Sequence, residues 1–212
     1  MIHIRWRIDP KHLKGVISDM MINGHGFGPD YLIDAGATLI ILIPLFFYIL
    51  IRQFFNGHVT IVKASGLIAF FLYIYALLSV TFFPVMVFKW GAKAYQYGFG
   101  KQYLANFNVL ELFQYAPSQI IGNLALLLPL SILVAYLWPN QFSQARPNMI
   151  LGGLTTLGIE TLQLLMSFFY LGNRTFDVND LILNIVGYLI GFGLYKVSKS
   201  IFKLSPDVFQ IL

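Results

Sequence analysis

Cysteine is absent from the chain, which removes disulfides, thiolate nucleophiles and cysteine metal sites from consideration. Charge is scarce: 11% of the 212 residues are charged, with 9 acidic and 14 basic residues. The resulting net charge of +5 is spread over loops and ends. Such a distribution biases a protein toward a membrane surface and excludes the gathered basic patch of a nucleic-acid partner. Histidine is rare too, and His3, His12 and His25 stand at no metal-ligand spacing. The first thirty residues contain no apolar run of the length a signal peptide needs.

What fills the chain instead is apolar sequence, 58% of residues, with a mean hydropathy of +0.72. It falls into five runs: Leu32–Phe55, Ser65–Phe88, Gln119–Trp138, Met149–Leu171 and Val178–Val197. Each is long enough to cross a bilayer as a helix. The fold class expected is an all-α integral membrane protein, a five-helix transmembrane bundle occupying residues 32–204. An interfacial segment (residues 1–31) precedes it and a tail (205–212) follows. Between the second and third spans lies a loop, Lys89–Ser118, rich in aromatic residues (Trp90, Tyr95, Tyr97, Phe99, Tyr103 and Phe107) of the kind found at membrane interfaces. A loop of that length is more often functional than inert, and part of it is expected to form a short helix. Pro44 and Pro129 interrupt the first and third spans, and Ser79 and Thr81 are expected to bond carbonyls of their own helix.

Polar residues inside the last three runs mark the candidate site. A carboxylate at mid-span costs roughly 3 kcal/mol on insertion scales, so it faces a protein interior or a wet cavity. Thr156, Glu160, Gln163 and Ser167 share one stripe of the fourth span by helical spacing, and Asp177, Asp180, Asn184, Gly187 and Gly191 share one stripe of the fifth. Glycines four apart allow close helix approach. The short connector Gly172–Phe176 makes the two spans antiparallel neighbours, so the stripes are expected to meet. Gln163 lies roughly 12 Å, and Asn184 about 9 Å, from its helix end at 1.5 Å per residue, which matches their depth. Glu160 is expected deeper, with Arg174, Asp177 and Asp180 at the mouth. Gln119 and Asn123 share a face of the third span.

The series Asn123-x5-Pro129, Glu160-x2-Gln163 and Arg174-x2-Asp177-x2-Asp180-x3-Asn184-x2-Gly187-x3-Gly191 resembles the VanZ-like family over about residues 65–195. That resemblance implies a bacterial membrane protein associated with reduced susceptibility to teicoplanin. It also implies partners among membrane lipids, lipid-linked envelope precursors or a lipoglycopeptide antibiotic. Three readings of the residues stay open. Asn123, Glu160, Gln163, Arg174, Asp177, Asp180 and Asn184 could bind such a ligand without chemistry. The same cavity could catalyse or transport, with Glu160, Arg174, Asp177 and Asp180 as candidate groups, although the stripe holds no nucleophile paired with a base. Or the polar groups are structural, with Asp177 or Asn179 capping the fifth helix and Arg174 paired to an aspartate. No cofactor or metal is expected: a divalent cation shared by Asp177, Asp180 and Glu160 would have to span roughly 15 Å of helix. Lys and Arg near the spans number six on the side of Arg52, Lys63, Arg146, Lys196, Lys199 and Lys203. They number four on the side of Lys89, Lys93, Lys101 and Arg174, so the C-terminus is expected in the cytoplasm.

Overall fold

The computed structural model describes residues 19–55 and 60–201. The expectations for His3, His12, the polar link at Asn56–His58, Lys203 and the tail 205–212 lie outside them. Among the described residues five helices are long and apolar enough to cross a membrane: α1 (Leu39–Phe55, entered through a 3-10 turn at Ala35–Thr38), α2 (Ile61–Phe82), α3 (Pro117–Leu137), α4 (Ala145–Phe168) and α5 (Val178–Ile201). They form an all-α membrane bundle, as the hydropathy requires.

The span boundaries shift from the expected ones for local reasons. Leu32 and Ile33 are not helical but pair as strand β3 (Tyr31–Ile33) with β4 (Val85–Val87). Helix α2 begins four residues before Ser65 because the Thr60 side chain accepts from the Lys63 N–H at 3.3 Å, a helix N-cap. It ends at Phe82 rather than Phe88, two residues before Pro84, which lacks the N–H that would continue the ladder. Helix α4 starts at Ala145, four residues ahead of Met149, which brings Asn148 inside the helix, and it stops at Phe168. Ser79 and Thr81 do bond the Tyr75 and Leu77 carbonyls one turn back, at 2.7 Å each.

On the side where α2 ends and α3 begins, a small second core gathers. Strands β1 (Met20–Ile22) and β2 (His25–Phe27) form a hairpin. Met20, Ile22, Met86, Phe88, Ala94 and Tyr170 cluster beneath it, and the Tyr170 hydroxyl donates to the Gly98 carbonyl. The residues 19–31 expected at the interface thus dock on the long loop, with His25 stacked on Tyr97 at 5.7 Å. Within that loop two 3-10 turns, Lys93–Tyr97 and Val109–Gln114, take the place of the expected short helix.

In the bundle, α3 and α5 are parallel and in backbone contact. A Cβ on Gly187 would overlap the Leu124 carbonyl, and one on Gly191 would overlap the Leu128 carbonyl and Ser131 Oγ. Both pairs are offset by the same number of residues, so the two helices stay in register over a full turn. The glycine stripe therefore faces α3, where the short connector had pointed to α4. Adjacency in sequence sets direction, but here small residues choose the partner.

Candidate functional site

The polar end of the same α5 stripe, one to two turns earlier, faces a cavity of about 300 Å³. Its walls come from four helices and the α4–α5 connector: Val80 and Thr81 of α2, Gly122, Asn123 and Leu126 of α3, Ile159, Glu160 and Gln163 of α4, Arg174, and Asp180 and Asn184 of α5. Six of the seven residues named from sequence as ligand-binding line it. The seventh, Asp177, is attached through its backbone N–H, which donates to Glu160 Oε2 at 3.1 Å.

That bond corrects the expected depth of Glu160. The connector does not cross the mouth as a simple turn; it runs back along α4. Ser167 and Arg174 are bonded to each other, Oγ to carbonyl and N–H to Oγ, and Glu160 is bonded to Asp177. Seven helical residues advance about 10.5 Å, and three extended residues cover about 10 Å, so Arg174–Asp177 returns alongside the helix in step with it. The returning segment pairs as strand β6 (Phe176–Asp177) with β5 (Ala105–Asn106), in parallel. Irregular backbone at membrane depth is tolerated where protein satisfies it, as β5 and Ser167 do here. The 15 Å separation expected between Glu160 and the aspartates is therefore absent. Even so, among the described residues no group of three or more His, Cys, Asp or Glu is placed to hold a metal ion.

Each polar side chain can be traced to a local need. Val80, four residues before Pro84, has no backbone donor to receive, and Arg174 Nη2 supplies one at 3.1 Å. The neighbouring Thr81 carbonyl takes Gln163 Nε2 at 3.1 Å. Cationic and amide donors at a helix C-terminus also suit its dipole. Arg174 is exposed and does not pair with an aspartate; among the described residues the ion pair within 4 Å is Lys89–Asp30, at 3.5 Å. Asp177 caps α5, accepting the Asn179 N–H at 2.8 Å. Asp180 stands in the first turn of α5 and accepts from Asn123 Nδ2 across the helix pair.

After these bonds, one buried lining atom is still unmatched. Glu160, 1% exposed, is engaged by the Asp177 N–H. Asn184 Oδ1, on a residue also 1% exposed, has no hydrogen-bond partner. A buried polar atom left unbonded costs about 1–3 kcal/mol. A cavity of this size holds roughly ten water volumes, and it sits at the lower end of small-ligand pockets. Its chemistry is that of a polar receptor: acceptors at Glu160, Asp180 and Asn184, with the remaining guanidinium donors of Arg174 at one edge.

A second layer went unseen in the sequence. Asn106, 5% exposed, donates to Asp177 Oδ2 at 3.0 Å and to Glu111 Oε2 at 2.7 Å. The Tyr115 hydroxyl also donates to Asp177. Burial, and then the hydrogen bond to Asp177, push that hydroxyl well above the usual tyrosine pKa, so it remains a donor. Asn179 Nδ2 reaches the Asn108 carbonyl at 3.0 Å. The sequence signal was Asn106, Asn108 and Glu111 interleaved with apolar residues in an aromatic loop, which has no helical period to orient them.

The model of the VanZ/LLP1 family matches residues 70–202, a segment that contains every residue lining the cavity and leaves out α1. No curated protein and no solved structure matches the chain.

Proposed function

The chain belongs to the VanZ/LLP1 family, and from that premise we propose that it lowers bacterial susceptibility to teicoplanin-like lipoglycopeptides by holding the polar part of a lipid-linked envelope precursor in this cavity. The observation that carries the reading is a buried, unpartnered acceptor, Asn184 Oδ1, in a cavity that also contains the buried Glu160 side chain, Asp180 and Arg174. Structural glue would have matched it. The volume of about 300 Å³ suits one polar group and is far smaller than a whole lipoglycopeptide. A lipid-linked ligand would leave its chain outside, beside exposed aromatics such as Phe107 and Phe113, where amphipathic molecules partition.

In this reading Arg174 holds an anionic group of the ligand with the donors that Val80 does not use. Glu160, Gln163, Asn123 and Asn184 line the interior, and Asp177 and Asp180 fix the walls. The protein sits in the plasma membrane with the C-terminus cytoplasmic and the cavity mouth outside. Expression in a susceptible Gram-positive host should raise the inhibitory concentration of teicoplanin more than that of vancomycin, which lacks the acyl chain. Glu160→Ala and Arg174→Ala should abolish the difference at equal protein level, and Asn173→Cys should react with an impermeant maleimide in intact cells. No resistance from the intact protein refutes the proposal. Unchanged resistance in both variants removes the cavity from it.

A further inference from the structure

Among the described residues five buried side-chain atoms have no hydrogen-bond partner: Asn148 Oδ1, Thr156 Oγ1, Asn179 Oδ1, Asn184 Oδ1 and Tyr188 Oη. All five stand on the two facing helices α4 and α5, and four of them form two rows. Asn148 and Thr156 belong to a row on α4 that steps by four residues through Gly152 and ends at Glu160. Asn184 and Tyr188 are one turn apart on α5. None of these four residues is more than 1% exposed. The rows touch at Gly152, where a Cβ would stand 2.5 Å from Tyr188 Cδ1. The missing side chain thus seats the tyrosine ring between the levels of Asn148 and Thr156. At about 1.5 Å per residue the row from Asn148 to Glu160 covers roughly 18 Å, more than half of the roughly 30 Å hydrocarbon thickness.

Interhelical glue stabilises a membrane bundle because its hydrogen bonds are made, and these are not. Apolar side chains would fill the same seam at lower cost, since an unmatched polar atom is expensive in a hydrocarbon surround. Buried water is the usual partner of such atoms. At one end the row opens into the cavity, where Asn184 and Glu160 are both lining residues. At the other, Asn148 Nδ2 donates to the Phe142 carbonyl at 2.9 Å, in the turn joining α3 to α4 on the face opposite the mouth. We propose that Asn148, Thr156, Tyr188 and Asn184 line a single-file water path connecting the cavity at Glu160 to the membrane face of the α3–α4 turn, with the Tyr188 ring, packed on Gly152, as the constriction that water must pass. The cavity is then wetted from the side opposite to its mouth, whatever ligand enters there.

The absence of cysteine makes the test clean. Thr156→Cys places a near-isosteric thiol on the path. Leu157→Cys places one next to it on a side chain that is 49% exposed but faces lipid. Silver ion is water-sized, binds thiols in water and crosses lipid poorly. It is added to vesicles on the face of the α3–α4 turn, and the thiols left free are counted by alkylation after denaturation. The buried Thr156→Cys should be blocked at least ten-fold faster than the lipid-facing Leu157→Cys, and from that face. Equal rates at the two positions overturn the path, as does blocking of Thr156→Cys from the mouth side alone. Both substitutions are small enough for folding to be verified by gel filtration before the rates are compared.

Discussion

Asp180 and Asn184 of α5 face the cavity, while Gly187 and Gly191, on the following turns of the same helix, lie against the α3 backbone. The two regions share both helices and are held by different physics. In the glycine seam, shape decides: nothing larger than hydrogen fits between Gly187 and the Leu124 carbonyl, and dispersion over closely apposed backbones stabilises the pair. Around the cavity, direction decides: Asn123 to Asp180, Gln163 to Thr81 and Asp177 to Glu160 each join two segments through one hydrogen bond. The seam fixes how near the helices stand, and the cavity is the space left where polar side chains hold the others apart.

The sharpest break of this contrast is Gly187→Leu, which drives a side chain into backbone that has no rotamer to yield. Folded, monodisperse protein should be lost, whereas Gly193→Leu, whose Cβ would meet nothing within 4 Å, should purify normally. Comparable yields for the two would show that the seam does not organise the bundle. Gln163→Leu removes one directed bond and leaves the Thr81 carbonyl unmatched. A loss of about 0.6–1.7 kcal/mol is expected, the range of interhelical hydrogen bonds in membranes, read from unfolding in detergent; a loss as large as that of Gly187→Leu would erase the distinction. Glu160→Gln keeps size and the acceptor for the Asp177 N–H. Stability should change by no more than about 1 kcal/mol, that of an average point substitution, while the protection against teicoplanin disappears. Poor expression of this variant would make Glu160 a folding residue.

The sequence displays one side of this contrast better than the other. Helical period placed Glu160, Gln163, Asp180 and Asn184 on inward stripes, and the structure gathers them around one cavity. The depth of Glu160 was misread because the connector is short but not flat: Ser167, at the end of α4, is the hook on which Arg174 turns back, and a serine in an apolar run does not announce that. The choice of α3 as partner for Gly187 depends on Leu124 and Leu128, ordinary leucines whose carbonyls, not side chains, make the contact. Asn106 and Tyr115 were invisible for a related reason, since irregular segments have no period from which a direction can be read. Pro84, inside the second span expected from sequence, was the residue whose consequence was missed, as it both ends α2 and creates the need that Arg174 meets.

The parallel contact of α3 with α5 also has a meaning in time. Leu124 and Gly187 are sixty-three residues apart, and at roughly 5–20 residues per second the ribosome needs about 3–13 s to supply the second after the first. For that interval Asn123 is in the membrane, or waiting beside it, without the aspartate that receives its amide. The closest contact in the finished bundle is thus among the last to form, and a nascent chain stopped before α5 presents a groove shaped for a helix that has yet to be made.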